Sequence, residues 1–342
     1  MSNAIPITLL TGYLGSGKTT LLSRLLGHPE LKNTVVLVNE FGEIALDHDL
    51  LYSASGESIV LLGSGCLCCA LRSDLAEQLD DLYTRRLRKE IPAFDRVVIE
   101  TTGLADPAPI LQTLVAEPVL AALYRLDSVV TTADGQFGER QLDLHFESVK
   151  QAALADRIVV TKADLADEDA LARLEARLRK INPAAPMIRA VNGHVDPAFI
   201  LAVGLHAAAA APERIDEWLR AERYLALPAT TQPSVGHLDR HDSRIHSFAV
   251  VFEAPVSGAR LWTGLETLIE HSGDKLLRVK GIVNAAGQTQ PKVIHIVQHV
   301  LYPVVTLTSW PSDDRRTRLV FIVRDLDEAQ VRAALDNALA AA

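Results

Sequence analysis

Short apolar runs rich in β-branched residues recur through the first 225 residues, and helix-like segments with periodic apolar residues separate several of them. Continuous apolar runs of this length are typical of strands buried on both faces of a parallel sheet. The pattern predicts strands at residues 5–10, 34–38, 58–62, 96–99, 128–133, 157–160 and 186–191, and helices at residues 20–26, 71–88 and 146–155. We therefore expect an α/β domain with a mainly parallel sheet flanked by helices.

The pattern changes near residue 225. Residues 226–244 contain Pro228, Pro233 and Gly236 and predict a linker between domains. From residue 245 strands dominate, at 247–253, 275–284, 292–300, 304–310 and 318–324, with helices at 260–272 and 327–341. This order favours a smaller α+β domain with a largely antiparallel sheet. We thus expect domains at residues 1–225 and 245–342.

The charge balance excludes some classes of partner. Of the 342 residues, 34 are Lys or Arg and 43 are Asp or Glu, a formal net charge of −9. Nucleic acids and anionic membranes favour basic surfaces, so we expect neither as a partner. No stretch approaches the roughly 20 apolar residues of a membrane span, and the early first strand leaves no room for a signal peptide. These features predict a cytoplasmic protein.

The segment after the first predicted strand fits the phosphate-binding pattern GxxxxGK[ST], with Gly12, Gly17, Lys18 and Thr19 at its fixed positions. Only residues without a Cβ let backbone N–H groups wrap a polyphosphate closely. Lys18 is expected to reach the β- and γ-phosphates, and Thr19 to hold Mg²⁺. The predicted nucleotide-binding residues of this loop are Gly12, Gly15, Ser16, Gly17, Lys18, Thr19 and Thr20.

Further polar groups follow other predicted strands. Glu100 follows the 96–99 run, and its carboxylate is expected to hold the Mg²⁺ or its water. With Lys18 and Thr19 it is expected to serve hydrolysis. Gly103, three residues on, is a further predicted nucleotide-binding residue. Thr161-Lys-Ala-Asp164 follows the 157–160 run and fits the guanine-selecting [NT]KxD signature, in which one carboxylate accepts two hydrogen bonds from the base. Lys162 is expected to lie along the base plane. Asn192 is a weaker candidate contact to the guanine ring.

All three cysteines of the chain, Cys66, Cys68 and Cys69, lie within four residues. An odd, clustered set cannot form a disulfide framework and is expected in a reducing compartment. Three thiols suit a soft or borderline cation such as Zn²⁺, which usually takes a fourth ligand. Glu40 or Glu43 of the segment after the second strand, a histidine or water is expected to supply it, and Asp47 is a further candidate ligand nearby.

These motifs, in this order and together with Asn39-Glu-Phe-Gly-Glu43, resemble those of the CobW-type GTPases, relatives of the GTPases that insert nickel into urease and hydrogenase. Residues 276–281 and 318–324 resemble the second domain of that family. The resemblance implies a P-loop GTPase domain and a metallochaperone that loads a divalent metal, most often zinc, at the CxCC motif and delivers it to a client protein on GTP hydrolysis. It also implies that Thr161, in place of the usual Asn, loses a loop-bracing amide.

Several alternatives stay open at this level. Cys66 and Cys69 could act as a redox pair in a GTP-switched sensor, or the thiols could be structural in a GTP-switched interaction module. An ATP-dependent small-molecule kinase would share the phosphate loop but would have no use for Asp164. The metal could be Co²⁺ or Fe²⁺, with Co²⁺ fitting a cobalt-handling GTPase of cobalamin synthesis. Homo-oligomerisation is also left open.

Overall fold

A computed structural model describes residues 4–38, 61–63, 71–201, 203–225 and 244–340. The described chain divides into two compact units. The first holds the residues up to Gln141, together with Ala155–Glu175 and Pro186–Gly204, and the second holds Leu142–Leu154, Ala176–Ala185 and the residues from Leu205 on. The predicted linker lies almost entirely outside the described residues, and the domain boundaries at residues 225 and 245 stay a prediction.

The first unit contains a seven-stranded sheet in the order β3-β2-β4-β1-β5-β6-β7. Every neighbouring pair in it is parallel, which confirms the predicted fold class. Because β1 lies in the centre, the carboxyl ends of β4, β1, β5 and β6 are adjacent at one edge. The strands are β1 Ile5–Gly12, β2 Thr34–Val38, β3 Leu61–Gly63, β4 Arg96–Glu100, β5 Tyr124–Asp134, β6 Arg157–Thr161 and β7 Met187–Arg189.

Helices connect these strands, as parallel pairing requires. Buried side chains of β1, the helix α1 and the residues that follow β7 form one apolar cluster, in which Leu21 and Leu22 are fully buried. No helix in the part of the chain that the structure describes is long and apolar enough to cross a membrane. The helices up to residue 225 are α1 Lys18–Leu26, α2 Leu71–Leu87, α3 Ala108–Ala116, α4 Pro118–Leu123, α5 Gly138–Leu144, α6 Phe146–Leu154, α7 Glu168–Ile181, α8 Pro197–Ile200, α9 Leu205–Ala209, α10 Arg214–Leu219 and α11 Ala221–Leu225.

The second unit contains a six-stranded sheet in the order β11-β10-β9-β13-β8, with β12 paired to β10. All of its pairs are antiparallel, as predicted. One face packs against the last two helices, and the stacked rings of Phe248 and Phe321, with centroids 5.5 Å apart, lie in this core. The elements are β8 Ile245–Phe252, α12 Gly258–Ser272, β9 Leu276–Val283, β10 Lys292–Val297, β11 Val300–Leu301, β12 Val305–Thr306, β13 Thr317–Arg324 and α13 Glu328–Ala340.

The opposite face of this sheet carries buried cations. Arg278 donates to the carbonyl of Leu154, the last residue of α6, and Lys280 Nζ donates to the carbonyl of Trp218 in α10 at 3.2 Å. Unpaired carbonyls and the negative end of the dipole make a helix C-terminus a favourable place for a cation. These side chains therefore tie α6 and α10 to the sheet.

Two predicted strands of this unit differ from the structure. The run 292–300 is not one strand, because Gln298 adopts a left-handed φ of 51° and the chain turns back, so that Leu301 of β11 pairs with Ile296 of β10. The prediction of a strand at 304–310 is wrong beyond the two residues of β12. Pro303 and Pro311 flank this segment, and proline cannot donate to a strand ladder.

We predict that Phe321→Ala destabilises the second unit by about 3–5 kcal/mol, because it removes a fully buried ring and leaves a cavity. The three tryptophans, Trp218, Trp262 and Trp310, all belong to this unit, so tryptophan fluorescence during denaturant unfolding reports on it. The matched control, Leu225→Ala, removes an exposed side chain and is expected to cost less than about 0.5 kcal/mol. Equal effects of the two substitutions would contradict the assigned core.

Candidate functional site

The predicted phosphate loop connects the last residue of β1, Gly12, to the first residue of α1, Lys18. Gly12, Gly15 and Gly17 have φ values of 144°, 74° and 85°, a region that residues with a Cβ rarely adopt. A Cβ on Gly12 would also lie 2.2 Å from Thr132 Oγ1 of β5. The loop thus needs glycine both for its backbone conformation and for its close approach to the neighbouring strand.

Polar side chains converge on the loop from α1 and β4. Lys18 is 8% exposed and its Nζ donates to the carbonyls of Gly12 at 3.0 Å and Tyr13 at 3.3 Å. Thr19 Oγ1 donates to Oε1 of the buried Glu100 at 2.6 Å. A hydroxyl and a carboxylate held together at a loop that wraps phosphates are the hard oxygen donors that Mg²⁺ prefers, so these residues fit the predicted ion.

Gly103, three residues beyond β4, lies directly against the phosphate loop. A Cβ at this position would be 2.4 Å from both the backbone nitrogen and Cα of Leu14. Backbone atoms cannot move aside as a flexible side chain can, so the contact requires glycine. The segment just after β4 therefore constrains the shape of the phosphate loop through Gly103.

The guanine-selecting signature follows β6 as predicted. Thr161 is the last residue of β6, Lys162 has a left-handed φ of 53°, and Asp164 is exposed on a 3-10 turn, Ala163–Leu165. Asn192 is also exposed and left-handed, with a φ of 50°. Its neighbour Gly193 packs on α1, where a Cβ would lie 3.0 Å from the carbonyl oxygen of Thr20.

Thr161 and Lys162 bond to the phosphate loop itself. The Thr161 hydroxyl donates to the carbonyl of Ser16 at 2.7 Å, and Lys162 Nζ donates to the carbonyl of Gly15 at 2.7 Å. Thr161 lacks the amide of the usual asparagine, but its shorter hydroxyl side chain still bonds to the loop. Direct hydrogen bonds therefore join the segment with the guanine-selecting sequence pattern to the predicted phosphate loop.

Two residues of this site were missed by reasoning from the sequence. Thr132 Oγ1 lies 2.6 Å from Ser16 Oγ, and Asp134 Oδ2 accepts a hydrogen bond from Lys162 Nζ at 2.6 Å. Both belong to the end of β5, which extends one residue beyond the predicted run 128–133. The sequence did contain a signal for them, because both are polar residues at the end of an apolar run, and β5 lies beside β1.

The residues predicted to bind zinc lie outside the described residues, namely Cys66, Cys68, Cys69, Glu40, Glu43 and Asp47. Among the residues that are described, no group of three or more His, Cys, Asp or Glu side chains is arranged to hold a metal ion. The zinc site therefore stays a prediction from the sequence.

Comparison with known families agrees with this geometry. The CobW/HypB/UreG nucleotide-binding domain matches residues 6–189, more than half of the chain. The chain belongs to this family. The C-terminal domain of the cobalamin synthesis protein cobW matches residues 245–339. The family predicted from the motifs is thereby confirmed for both parts of this CobW-type chain.

Individual relatives match nearly the whole CobW-type chain. The zinc chaperone YjiA of Escherichia coli is 33% identical over 97% of this chain and 98% of its own length. The zinc chaperone CobW of Pseudomonas aeruginosa is 31% identical over 98% of this chain and 92% of its own length. The crystal structure of the Zn(II)-bound YjiA GTPase from E. coli is similar with a TM-score of 0.69 and 28% identity, covering 98% of each chain.

We predict that Gly103→Ala weakens binding of a fluorescent guanine nucleotide by at least about tenfold, because the new methyl group would push the phosphate loop out of place. The control is Gly27→Ala at the end of α1, where φ is −72° and the Cβ would meet only the carbonyl of Arg24 at an ordinary 3.5 Å. Unchanged affinity in Gly103→Ala would contradict the importance of this contact.

Proposed function

We propose that this protein is a GTP-hydrolysing metallochaperone that loads zinc at Cys66, Cys68 and Cys69 and releases it to a client metalloprotein. GTP binding is supported by two hydrogen bonds of 2.7 Å, one from Thr161 and one from Lys162, to carbonyls of the phosphate loop. They bring a guanine-selecting sequence to a triphosphate-binding loop. The names of the full-length relatives, zinc chaperones YjiA and CobW, support the metal part.

The hydrolytic residues are Lys18, Thr19 and Glu100. Lys18 provides a buried ammonium whose bonds to the Gly12 and Tyr13 carbonyls can be exchanged for bonds to the β- and γ-phosphates. Thr19 and Glu100 would hold Mg²⁺, which neutralises charge on the phosphates when bound. Water attacks the γ-phosphorus and forms inorganic phosphate, GDP leaves with the electron pair of the broken P–O bond, and the proton that the water loses passes to phosphate oxygen or solvent.

Guanine recognition is assigned to Lys162, Asp164 and Asn192. Asp164 is exposed beside Lys162, so its carboxylate is accessible to the N1–H and the exocyclic amine of a guanine base. Adenine offers no such pair of donors. This preference for GTP separates the proposal from an ATP-dependent small-molecule kinase with the same phosphate loop.

We predict that Asp164→Asn weakens GTP binding by at least about tenfold, because an amide oxygen replaces a charged acceptor. The same substitution should improve binding of xanthosine triphosphate, whose C2 carbonyl can accept from the new amide. Competition against a fluorescent nucleotide measures both. Asp169→Asn, an exposed carboxylate in the first turn of α7, is the control and should change neither affinity. An unaltered preference for GTP in Asp164→Asn would overturn the guanine assignment.

Zinc is the cargo of the proposed reaction. Three clustered thiolates favour Zn²⁺ and also accept Co²⁺, and Glu40, Glu43 and Asp47 are candidates for the remaining ligand. Both this segment and the thiol segment follow strands of the parallel sheet, β2 and β3, which are hydrogen-bonded neighbours. We propose that the γ-phosphate alters zinc affinity through these segments. Free thiols also need a reducing compartment, so we place the protein in the cytoplasm.

We predict that Cys66→Ser weakens zinc binding by more than about tenfold while GTP affinity is kept, because the substitution removes a thiolate ligand and none of the residues assigned to the nucleotide. Ser64→Ala, a change in the same segment that removes no thiol, is the control. Competition with a chelating dye, with GTP and then with GDP bound, measures the zinc affinity, and Co²⁺ is titrated in parallel.

Three outcomes would count against the metallochaperone. Equal zinc affinity in the GTP-bound and GDP-bound forms would overturn the coupling of nucleotide to metal. A stable disulfide between Cys66 and Cys69 under cytosolic redox conditions would favour a redox sensor instead. Unfolding of a variant in which Cys66, Cys68 and Cys69 are all replaced by Ser, rather than loss of zinc binding alone, would favour structural thiols in an interaction module.

A further inference from the structure

Asp134, the last residue of β5, is a buried carboxylate to which the proposed function assigns no role. Its side chain is 1% exposed. One oxygen, Oδ1, accepts hydrogen bonds from the backbone N–H groups of Gln136 at 2.9 Å and Phe137 at 3.1 Å. The other, Oδ2, accepts from Lys162 Nζ at 2.6 Å. The carboxylate thus faces both its own turn and the guanine-selecting signature.

The ammonium of Lys162 is shared between Asp134 and the phosphate loop. It lies 2.6 Å from Asp134 Oδ2 and 2.7 Å from the carbonyl oxygen of Gly15. An ammonium has three donors on a flexible stem, so a single carbonyl would hold it poorly. The carboxylate supplies the charge that fixes its position.

The turn that carries Asp134 is itself packed against the signature. The N–H of Gly135 donates to the carbonyl of Thr161 at 2.8 Å, and a Cβ on Gly135 would lie 2.7 Å from that same oxygen. This close backbone contact sets the distance between Asp134 and Lys162. The carboxylate is therefore held rigidly where the ammonium must be.

Hydrogen bonds within its own turn do not explain why residue 134 is an aspartate. The two backbone N–H groups bond only to Oδ1, and the amide oxygen of an asparagine could accept them equally well. A buried carboxylate without a cation is costly, so the charge is explained by its bond to Lys162. The Thr19–Glu100 bond joins α1 to β4 and includes none of these groups.

We propose that Asp134 is a positioning residue for guanine-nucleotide binding. Its carboxylate anchors the Lys162 ammonium on the Gly15 carbonyl, which fixes the lysine stem beside the base and holds the phosphate loop in its binding shape. The inference rests on the proposed function. Lys162 bonds to the phosphate loop and belongs to the guanine-selecting signature, both of which serve GDP as well as GTP, so Asp134 acts on the affinity for the two nucleotides alike.

The test is a double-mutant cycle on the full chain with a fluorescent GDP analogue as probe and GTP as competitor. We expect Asp134→Asn to weaken binding of both nucleotides by about tenfold and by the same factor. Because Asp134 acts through Lys162, Asp134→Asn should add little to the loss already caused by Lys162→Met. Asp134→Ser, which also offers a neutral acceptor to the turn, replaces Asp134→Asn if the latter does not fold.

The matched control is Asp156→Asn. Asp156 is likewise buried and accepts a backbone N–H, that of Val129 at 3.1 Å, but it lies just before β6, at the other end of that strand from Thr161. Its substitution should lower thermal stability without changing nucleotide affinity. Unchanged affinity in a folded Asp134→Asn, or additive losses in the double variant, would overturn the inference while the proposed function stands. Failure of wild type to bind guanine nucleotides would overturn both.

Discussion

The conformation of the phosphate loop depends on the donors to which its backbone carbonyl oxygens are hydrogen-bonded. Backbone groups come as N–H and C=O pairs, and each buried one needs a partner. The carbonyls of Gly12 and Tyr13 both accept hydrogen bonds from Lys18. The carbonyl of Gly15 accepts from Lys162, and that of Ser16 accepts from Thr161. The carbonyl of Gly17 accepts from the backbone N–H of Leu21 in α1. With these carbonyls held by protein donors, N–H groups of the loop can face a polyanion. Anion binding by the loop is therefore a property of the strands around it as much as of its glycines.

The order of the parallel strands explains how so many elements reach one loop. β4, β1, β5 and β6 are neighbours, and all of them end at the same edge of the sheet. Glu100 ends β4, Gly12 ends β1, Asp134 ends β5 and Thr161 ends β6. Ligand sites of open parallel sheets lie at the carboxyl ends of strands for this geometric reason. The chain needs only one or two polar residues at each strand end to build the whole nucleotide site.

The sheet, the phosphate loop and the guanine signature could be predicted because each has a local pattern: a continuous apolar run, a glycine spacing or a four-residue motif. The role of Asp134 could not, since one aspartate after a strand resembles any strand end until β6 is known to lie beside β5. The bond from the Thr161 hydroxyl to the loop could not be predicted for a similar reason, because the distance to the Ser16 carbonyl depends on the tertiary fold. The prediction of a strand at 304–310 was wrong because it relied on the apolar residues of this segment and neglected the two prolines that flank it.

The two lysines of the site differ in how they bond to the phosphate loop. The Gly12 and Tyr13 carbonyls that Lys18 contacts are neutral, and its ammonium gains when a charged phosphate replaces them, because charge-assisted hydrogen bonds are roughly twice as strong as neutral ones. Lys162 already has a charged partner in the buried Asp134, so an arriving phosphate offers no comparable gain over that bond. We therefore expect Lys18 to exchange these two carbonyls for phosphate oxygens when nucleotide binds, and Lys162 to keep its bonds to Asp134 and to the loop.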